Sequence, residues 1–276
     1  MIRSTPHSVL GSAKRVWPRS RDGGAPRRLA KFSELWQGAL DLALPRICAA
    51  CRAGVAAAST LCGNCDRRFG RIEFGVCELC QEEVPRSGIN YCEGCAISDS
   101  PLTACVAAIR FEGEAADWIH RFKYPRKGLL GLDPAPRSVV GSMLSEAAAR
   151  APGRRPDLIV PVPLHARRLR ARGFNPAALL ARSLARDLRI PCDPTALRRT
   201  RDTPSQTGLN RRDRRRNVRH AFRARRSLHA PEHIWLVDDV VTTASTLAEA
   251  AIALRNAGAS SITGLCAARS LIEIRQ

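Results

Sequence analysis

No apolar run in this 276-residue chain approaches the roughly 20 residues needed to cross a bilayer, and the N-terminus lacks the short apolar core of a secretory signal. Those two absences point away from membrane insertion and towards a soluble, cytoplasmic protein. Acids are scarce beside bases, 25 Asp and Glu against 45 Lys and Arg, which leaves a net charge of +20 and a pI near 10.9. Aromatics make up only 5% of the chain, so any surface for stacking nucleic-acid bases is sparse. What is present in quantity is apolar: 45% hydrophobic residues suffice for one good core with a small appendage.

The basic excess is uneven. It lies in residues 1–30 and between Arg154 and Arg226, whereas from Pro231 onward Glu232, Asp238, Asp239, Glu249 and Glu273 outnumber Arg255, Arg269 and Arg275. A polyanionic partner is implied for the basic part, the plainer alternative being arginine that merely solvates a surface. Residues 1–30 are rich in Arg, Ser, Pro and Gly, which suits a disordered basic tail; an organellar transit peptide has a similar composition.

Eight of the eleven cysteines form four CxxC pairs, Cys48/Cys51, Cys62/Cys65, Cys77/Cys80 and Cys92/Cys95. Each pair makes a knuckle with two thiolates on one side of a tight turn, and two knuckles complete a tetrahedral Cys₄ site. Four knuckles imply two structural Zn²⁺ ions. Gly63 and Gly94 lie inside knuckles, where a positive φ would ease the turn. Few large apolar residues lie between Cys48 and Cys95, so metal must supply folding energy that a core cannot. A disulfide framework requires oxidising surroundings, which the missing signal argues against. Successive pairing gives two ribbons in series, alternating pairing a cross-braced module, and spacing leaves both open. Cys105, Cys192 and Cys266 sit in apolar settings and read as core residues.

The most informative stretch begins with the apolar run Ile234, Trp235, Leu236, Val237, continues through Asp238, Asp239, Val240 and Val241, and turns through Thr242, Thr243, Ala244, Ser245 and Thr246 into a good helix former over 247–254. A buried strand feeding such a turn directs backbone N–H groups and the helix dipole at an anion. The two carboxylates can accept hydrogen bonds from vicinal sugar hydroxyls and hold a hydrated Mg²⁺. The plain alternative is a buried strand and a capped helix.

Periodicity places a helix over 31–44, a strand over 105–111, helices over 115–124 and from about 138 to 150, a strand over 158–162, a helix over 176–188, a loose basic segment, the Ile234 strand with its helix, and a last strand over 261–268. Alternating strand and helix predicts an α/β fold with a doubly wound parallel sheet, whose ligands lie at the carboxyl ends of the strands.

The Asp238-Asp239 stretch resembles the 5-phosphoribosyl-1-pyrophosphate (PRPP) motif of type I phosphoribosyltransferases, with Ala244 where that family often has Gly. A second set narrows the resemblance. Leu158, Ile159, Val160, Pro161, Val162, Pro163, Leu164 and His165, then Arg167, Arg168, Arg170, and Arg172-Gly173-Phe174-Asn175-Pro176-Ala177, are similar to the ComF (ComFC) family. Gln206, Arg211 or Arg212, Arg216-Asn217-Val218 and Ala221-Phe222 continue the pattern. The resemblance implies a type I phosphoribosyltransferase-like domain over 101–276 and a helix plus double zinc ribbon over 31–100, hence successive pairing of the knuckles. It implies PRPP and Mg²⁺ at Asp238, Asp239, Val241, Thr242, Thr243, Ala244, Ser245 and Thr246, with Pro163, Leu164, His165, Ala166, Arg167 and Arg168 receiving the pyrophosphate. It further implies single-stranded DNA as a partner in natural transformation, which the basic excess supports with Arg170, Arg172, Arg211, Arg212, Arg215 and Arg216 as the candidate contacts; a blander reading makes the ribbons and basic tail a protein-docking scaffold for translocation-machinery proteins.

Glutaminase activity is not expected, since an enzyme of that kind needs a cysteine directly after Met1 and Ile2 stands there. A working phosphoribosyltransferase with an unidentified acceptor is the rival reading. No general base for an incoming nucleophile stands out, so the motif predicts binding better than turnover.

Overall fold

The computed structural model of the chain describes residues 46–56, 59–72, 77, 100–125, 127–128, 131–203, 216–225 and 231–270. The expected basic tail and the helix expected over 31–44 lie outside them. Along the chain run α1 (Gly63–Asp66), β1 (Ala104–Arg110), α2 (Gly113–Lys123), β2 (Lys127–Gly128), β3 (Gly131–Leu132), α3 (Ala135–Arg150) and β4 (Leu158–Pro161). There follow α4 (Ala166–Arg172), α5 (Pro176–Leu188), β5 (Leu197–Arg199), β6 (Phe222–Ala224), β7 (His233–Val241), α6 (Ser245–Arg255) and β8 (Ser261–Arg269). No helix among the described residues is long and apolar enough to cross a membrane.

The expected parallel sheet is present, four strands in the order β1-β8-β7-β4. Its central strands are buried on both faces, which is why Ile234, Trp235, Leu236 and Val237 form a continuous apolar run instead of alternating. Trp235, Val237 and Leu265 pack under α2, α3 and α5, while Ile234, Leu236 and Cys266 pack under α6 and the small β5–β6 ribbon. Cys105 and Cys266 are fully buried, as expected of core thiols, and Cys192 is half-buried. Gly264 of β8 lies where a Cβ would come within 3.0 Å of Leu247, so glycine lets the first turn of α6 sit close on the sheet.

The helices follow their local chemistry. α5 is capped by Asn175, whose side chain accepts from the Ala177 N–H at 3.1 Å, and begins at Pro176, a residue suited to a first turn. α3 begins at Ala135, three residues before the expected start, because Pro136 is tolerated in a first turn and Asp133 accepts from the Ala135 N–H at 3.0 Å. Two elements depart from expectation. α4 stands between the 158–162 strand and the 176–188 helix, where periodicity places no element, and the basic segment after α5 contributes the antiparallel β5–β6 ribbon.

The cysteine module docks on the sheet edge. Ile72 N–H donates to the Ala108 carbonyl at 2.9 Å and Arg110 N–H to the Gly70 carbonyl at 2.7 Å, so this short segment covers β1. Arg71 secures it through Asp66 at 2.7 Å and Glu146 of α3 at 3.1 Å.

Candidate functional site

Strand β7 does not stop at Val237. Pairing with β8 continues through Asp238↔Cys266 and Val241↔Arg269, so both acids lie inside the strand rather than at its tip. Consecutive strand residues face opposite sides. Asp239 therefore turns to the α2–α3–α5 side, where Lys123, the last residue of α2, meets it at 3.0 Å. Asp238 shares its face with Leu236 and Cys266, and the Arg199 guanidinium of β5 acts on its charge from that side.

Burial, and after it the Asp239 carboxylate, push Asp238 up to about 7, against the pull of the Asp239 N–H that donates to it at 2.9 Å. A carboxylate in that condition gains from a cation or from hydroxyl donors. Burial likewise lowers the pKa of Arg199, with Arg168 adding to the effect. Arg199 lies over the Phe222 ring at 5.4 Å, donates to the Thr203 hydroxyl, and keeps a buried Nε without a hydrogen-bond partner.

After Val241 the chain turns through Thr242, Thr243 and Ala244 into α6. Thr243 and Ser245 are buried and their hydroxyls share a hydrogen bond of 2.9 Å; Thr242 and Thr246 are half-buried. Ala244 takes φ 53°, the left-handed conformation that glycine adopts without penalty. An alanine there costs backbone strain.

The loop after β4 starts beside β7 just ahead of the acid pair, since the Val162 N–H donates to the Val237 carbonyl at 2.8 Å and Asn175 donates to the Val162 carbonyl at 3.0 Å. Pro163 is buried, Leu164 and His165 are half-buried, and His165 caps α4 by accepting from the Arg167 N–H at 3.4 Å. Arg167 is exposed and reaches Asp202 at 3.4 Å, while Arg168 donates to the Thr203 carbonyl at 2.8 Å. Arg172 is held over the Tyr124 ring at 4.9 Å and donates to its hydroxyl at 3.0 Å. Arg170 and Arg216 are exposed; Gln206, Arg211, Arg212 and Arg215 lie outside the described residues.

Lys123 and Arg199 are absent from the sequence-derived set. Arg199 is one arginine among many, but Lys123 carries a faint signal: the chain has only Lys14, Lys31, Lys123 and Lys127 as lysines, so a lysine at a helix end is unusual here.

In the cysteine module the Sγ atoms of Cys48, Cys51, Cys62 and Cys65 lie within 4.8 Å of one another, Cys51 and Cys62 at 3.6 Å. Zn–S bonds of about 2.3 Å put tetrahedral sulfurs about 3.8 Å apart, so the four donors fit Zn²⁺. Their grouping is that of successive knuckles. Burial opposes ionisation of Cys48, yet the N–H groups of Cys51, Cys62 and Ala50 outweigh it and bring the thiol down to about 6. Burial and the neighbouring thiols push Cys65 up to about 12, a conflict that a divalent cation resolves. The left-handed residue is Arg52, directly after Cys51; Gly63 opens α1 without a positive φ, because the second knuckle turns as a helix. Cys77 is buried, and Cys80, Cys92, Cys95 and Gly94 lie outside the described residues.

Residues 39–96 match the double zinc ribbon domain. DNA utilization protein YhgH of Escherichia coli is 34% identical over 239 residues, spanning 83% of this chain and all of that protein. Competence protein F of Haemophilus influenzae is 30% identical over 218 residues, 78% of this chain and 93% of the relative. Among solved structures, glutamine PRPP amidotransferase of Bacillus subtilis, complexed with ADP and GMP, aligns at 19% identity with a TM-score of 0.36, covering 54% of this chain and 30% of that one. Identity at this level across nearly the whole length of YhgH and competence protein F, with the ribbon in place, makes the chain a member of the ComF family.

Proposed function

We propose that this protein binds PRPP with Mg²⁺ at the β7–α6 junction and handles single-stranded DNA during DNA uptake. The observation that carries the first part is the pair Asp238 and Asp239 inside β7, each opposed by a cation from a different layer and followed by a buried hydroxyl turn at a helix N-terminus. In this reading the two carboxylates hold the ribose hydroxyls and the hydrated Mg²⁺. The backbone N–H groups of Thr242, Thr243, Ala244, Ser245 and Thr246, with Val241 beneath them, cradle the 5-phosphate. Pro163, Leu164, His165, Arg167 and Arg168 border the diphosphate end. Magnesium supplies charge neutralisation there; the chain's residues orient the ligand.

The second part is supported by the relatives, named for DNA utilization and for competence, and by the charge of +20. Zinc holds the ribbon module, for which residues 31–100 are the proposed extent, and the phosphoribosyl-binding domain follows over 101–276. Binding rather than turnover is the function assigned, in the cytoplasm where DNA-translocation proteins deliver the strand. Fluorescence anisotropy of a labelled oligothymidine with the zinc-loaded protein tests the DNA part. Binding is expected at 50 mM salt, weakening steeply as salt rises; no binding at 50 mM salt refutes it.

A further inference from the structure

The β5–β6 ribbon carries an arginine pair that no acid compensates among the described residues. Arg198 of β5 and Arg223 of β6 stand directly opposite each other in the antiparallel register. Their strand neighbours Leu197 and Phe222 are buried against α6, so by strand alternation the two guanidinium groups share the outer face, and both residues are exposed. Like charges directly opposite on a sheet face destabilise it. No acid lies within ion-pair distance of either among the described residues.

Nearby arginines are already occupied. Arg225 reaches Asp193 at 3.3 Å, Arg201 donates to the Asn217 carbonyl at 2.8 Å, and Arg199 is turned inward over Phe222. The free pair also continues a basic path. The exposed Arg219 precedes β6 in a turn pinned to α6, where the His220 N–H donates to Glu249 at 2.9 Å. At the other end Arg199 bridges His165, which sets β5 beside the loop after β4 and the exposed Arg167 and Arg170 of α4.

We propose that Arg198 and Arg223 bind successive phosphates of a single DNA strand, and that the β5–β6 ribbon guides the strand along the sheet flank towards the β4–α4 loop. This rests on the reading that the protein handles single-stranded DNA, and it gives that strand a path distinct from Arg172, which is engaged with Tyr124. The ribbon's one aromatic, Phe222, is buried under Arg199, so recognition runs through the backbone and is indifferent to sequence.

The test is anisotropy of labelled oligothymidine with the full-length, zinc-loaded protein across a salt series. Each phosphate neutralised in a single strand contributes about 0.7 to the slope of log K against log salt, so R198Q/R223Q lowers the slope by about 1.4 and the affinity at 50 mM salt by roughly tenfold. R198K/R223K keeps the slope within about 0.3 of wild type, since the charges remain. The control R182Q/R186Q, exposed on α5 across the sheet, changes it far less. A double glutamine variant that binds with wild-type affinity and slope overturns the ribbon path while leaving DNA handling intact. So does a control pair that costs as much, or a duplex preferred over the single strand. Wild type that binds no single strand at 50 mM salt overturns the parent reading together with this one.

Discussion

Replacing Asp238 by Asn should make the free protein more stable at pH 8 and remove a pH dependence that wild type carries. Asp238 is raised from 3.8 to about 7 by burial and by Asp239. Between those values the native state keeps the proton while the unfolded chain releases it, so stability falls as pH rises through the window and the full cost is borne above about 7. At 1.36 kcal/mol per pH unit, the interval from 3.8 to about 7 corresponds to at most about 4 kcal/mol. The side chain still meets some water, which reduces the realistic figure to about 2 kcal/mol. Asn keeps an oxygen for the Asp239 N–H and carries no charge, so its gain should grow between pH 4 and 7 and level off above. For a domain of this size the gain at pH 8 is about 4–8 °C in Tm. Thermal melts of both zinc-loaded proteins in Mg²⁺-free buffer, compared at each pH from 5 to 8.5, read this directly. An Asn variant less stable than wild type at pH 8, or a gain equal at pH 5 and pH 8, refutes the reasoning. The same variant should lose PRPP affinity, the usual conflict between a stable scaffold and a charged binding site.

Other substitutions probe the same region and the zinc module. Ala244→Gly relieves the left-handed strain at φ 53° and should stabilise the protein by about 0.5–1 kcal/mol in urea melts without weakening PRPP binding. Lys123→Met leaves the nearly buried Asp239 without its partner and should cost about 1–3 kcal/mol, a loss that added Mg²⁺ partly restores in the same melts. Removing zinc with a chelator should abolish protection of the Cys48 and Cys65 knuckles against thiol alkylation and lower Tm, and readdition should restore both.

The β7–α6 unit is legible in the sequence because its signals agree: Ile234, Trp235, Leu236 and Val237 form an unbroken buried run, and Ala250, Ala251 and Leu254 keep one face of α6 apolar. The extension of β7 through Asp238 and Asp239 is not, because two acids interrupt the apolar pattern and only the nine-residue partner β8 supplies the reason to continue. α4 escapes for a similar cause: none of its residues is buried, so no stripe marks it among its arginines. β5 and β6, at three residues each, are too short for alternation to register, and their pairing joins positions 25 apart, Arg198 with Arg223. The ion pair of Lys123 with Asp239 and the electrostatic pull of Arg199 on Asp238 are tertiary, and no local pattern announces them. Successive pairing of the first two knuckles follows the family resemblance, whereas spacing alone fits either arrangement.

Calorimetric titration of the zinc-loaded protein with PRPP and Mg²⁺, run beside Asp239→Asn, tests the central assignment most directly. One-site binding in wild type that needs Mg²⁺ and disappears in the variant is the predicted result. Absence of any PRPP affinity in wild type, or binding that survives in Asp239→Asn unchanged, contradicts the account.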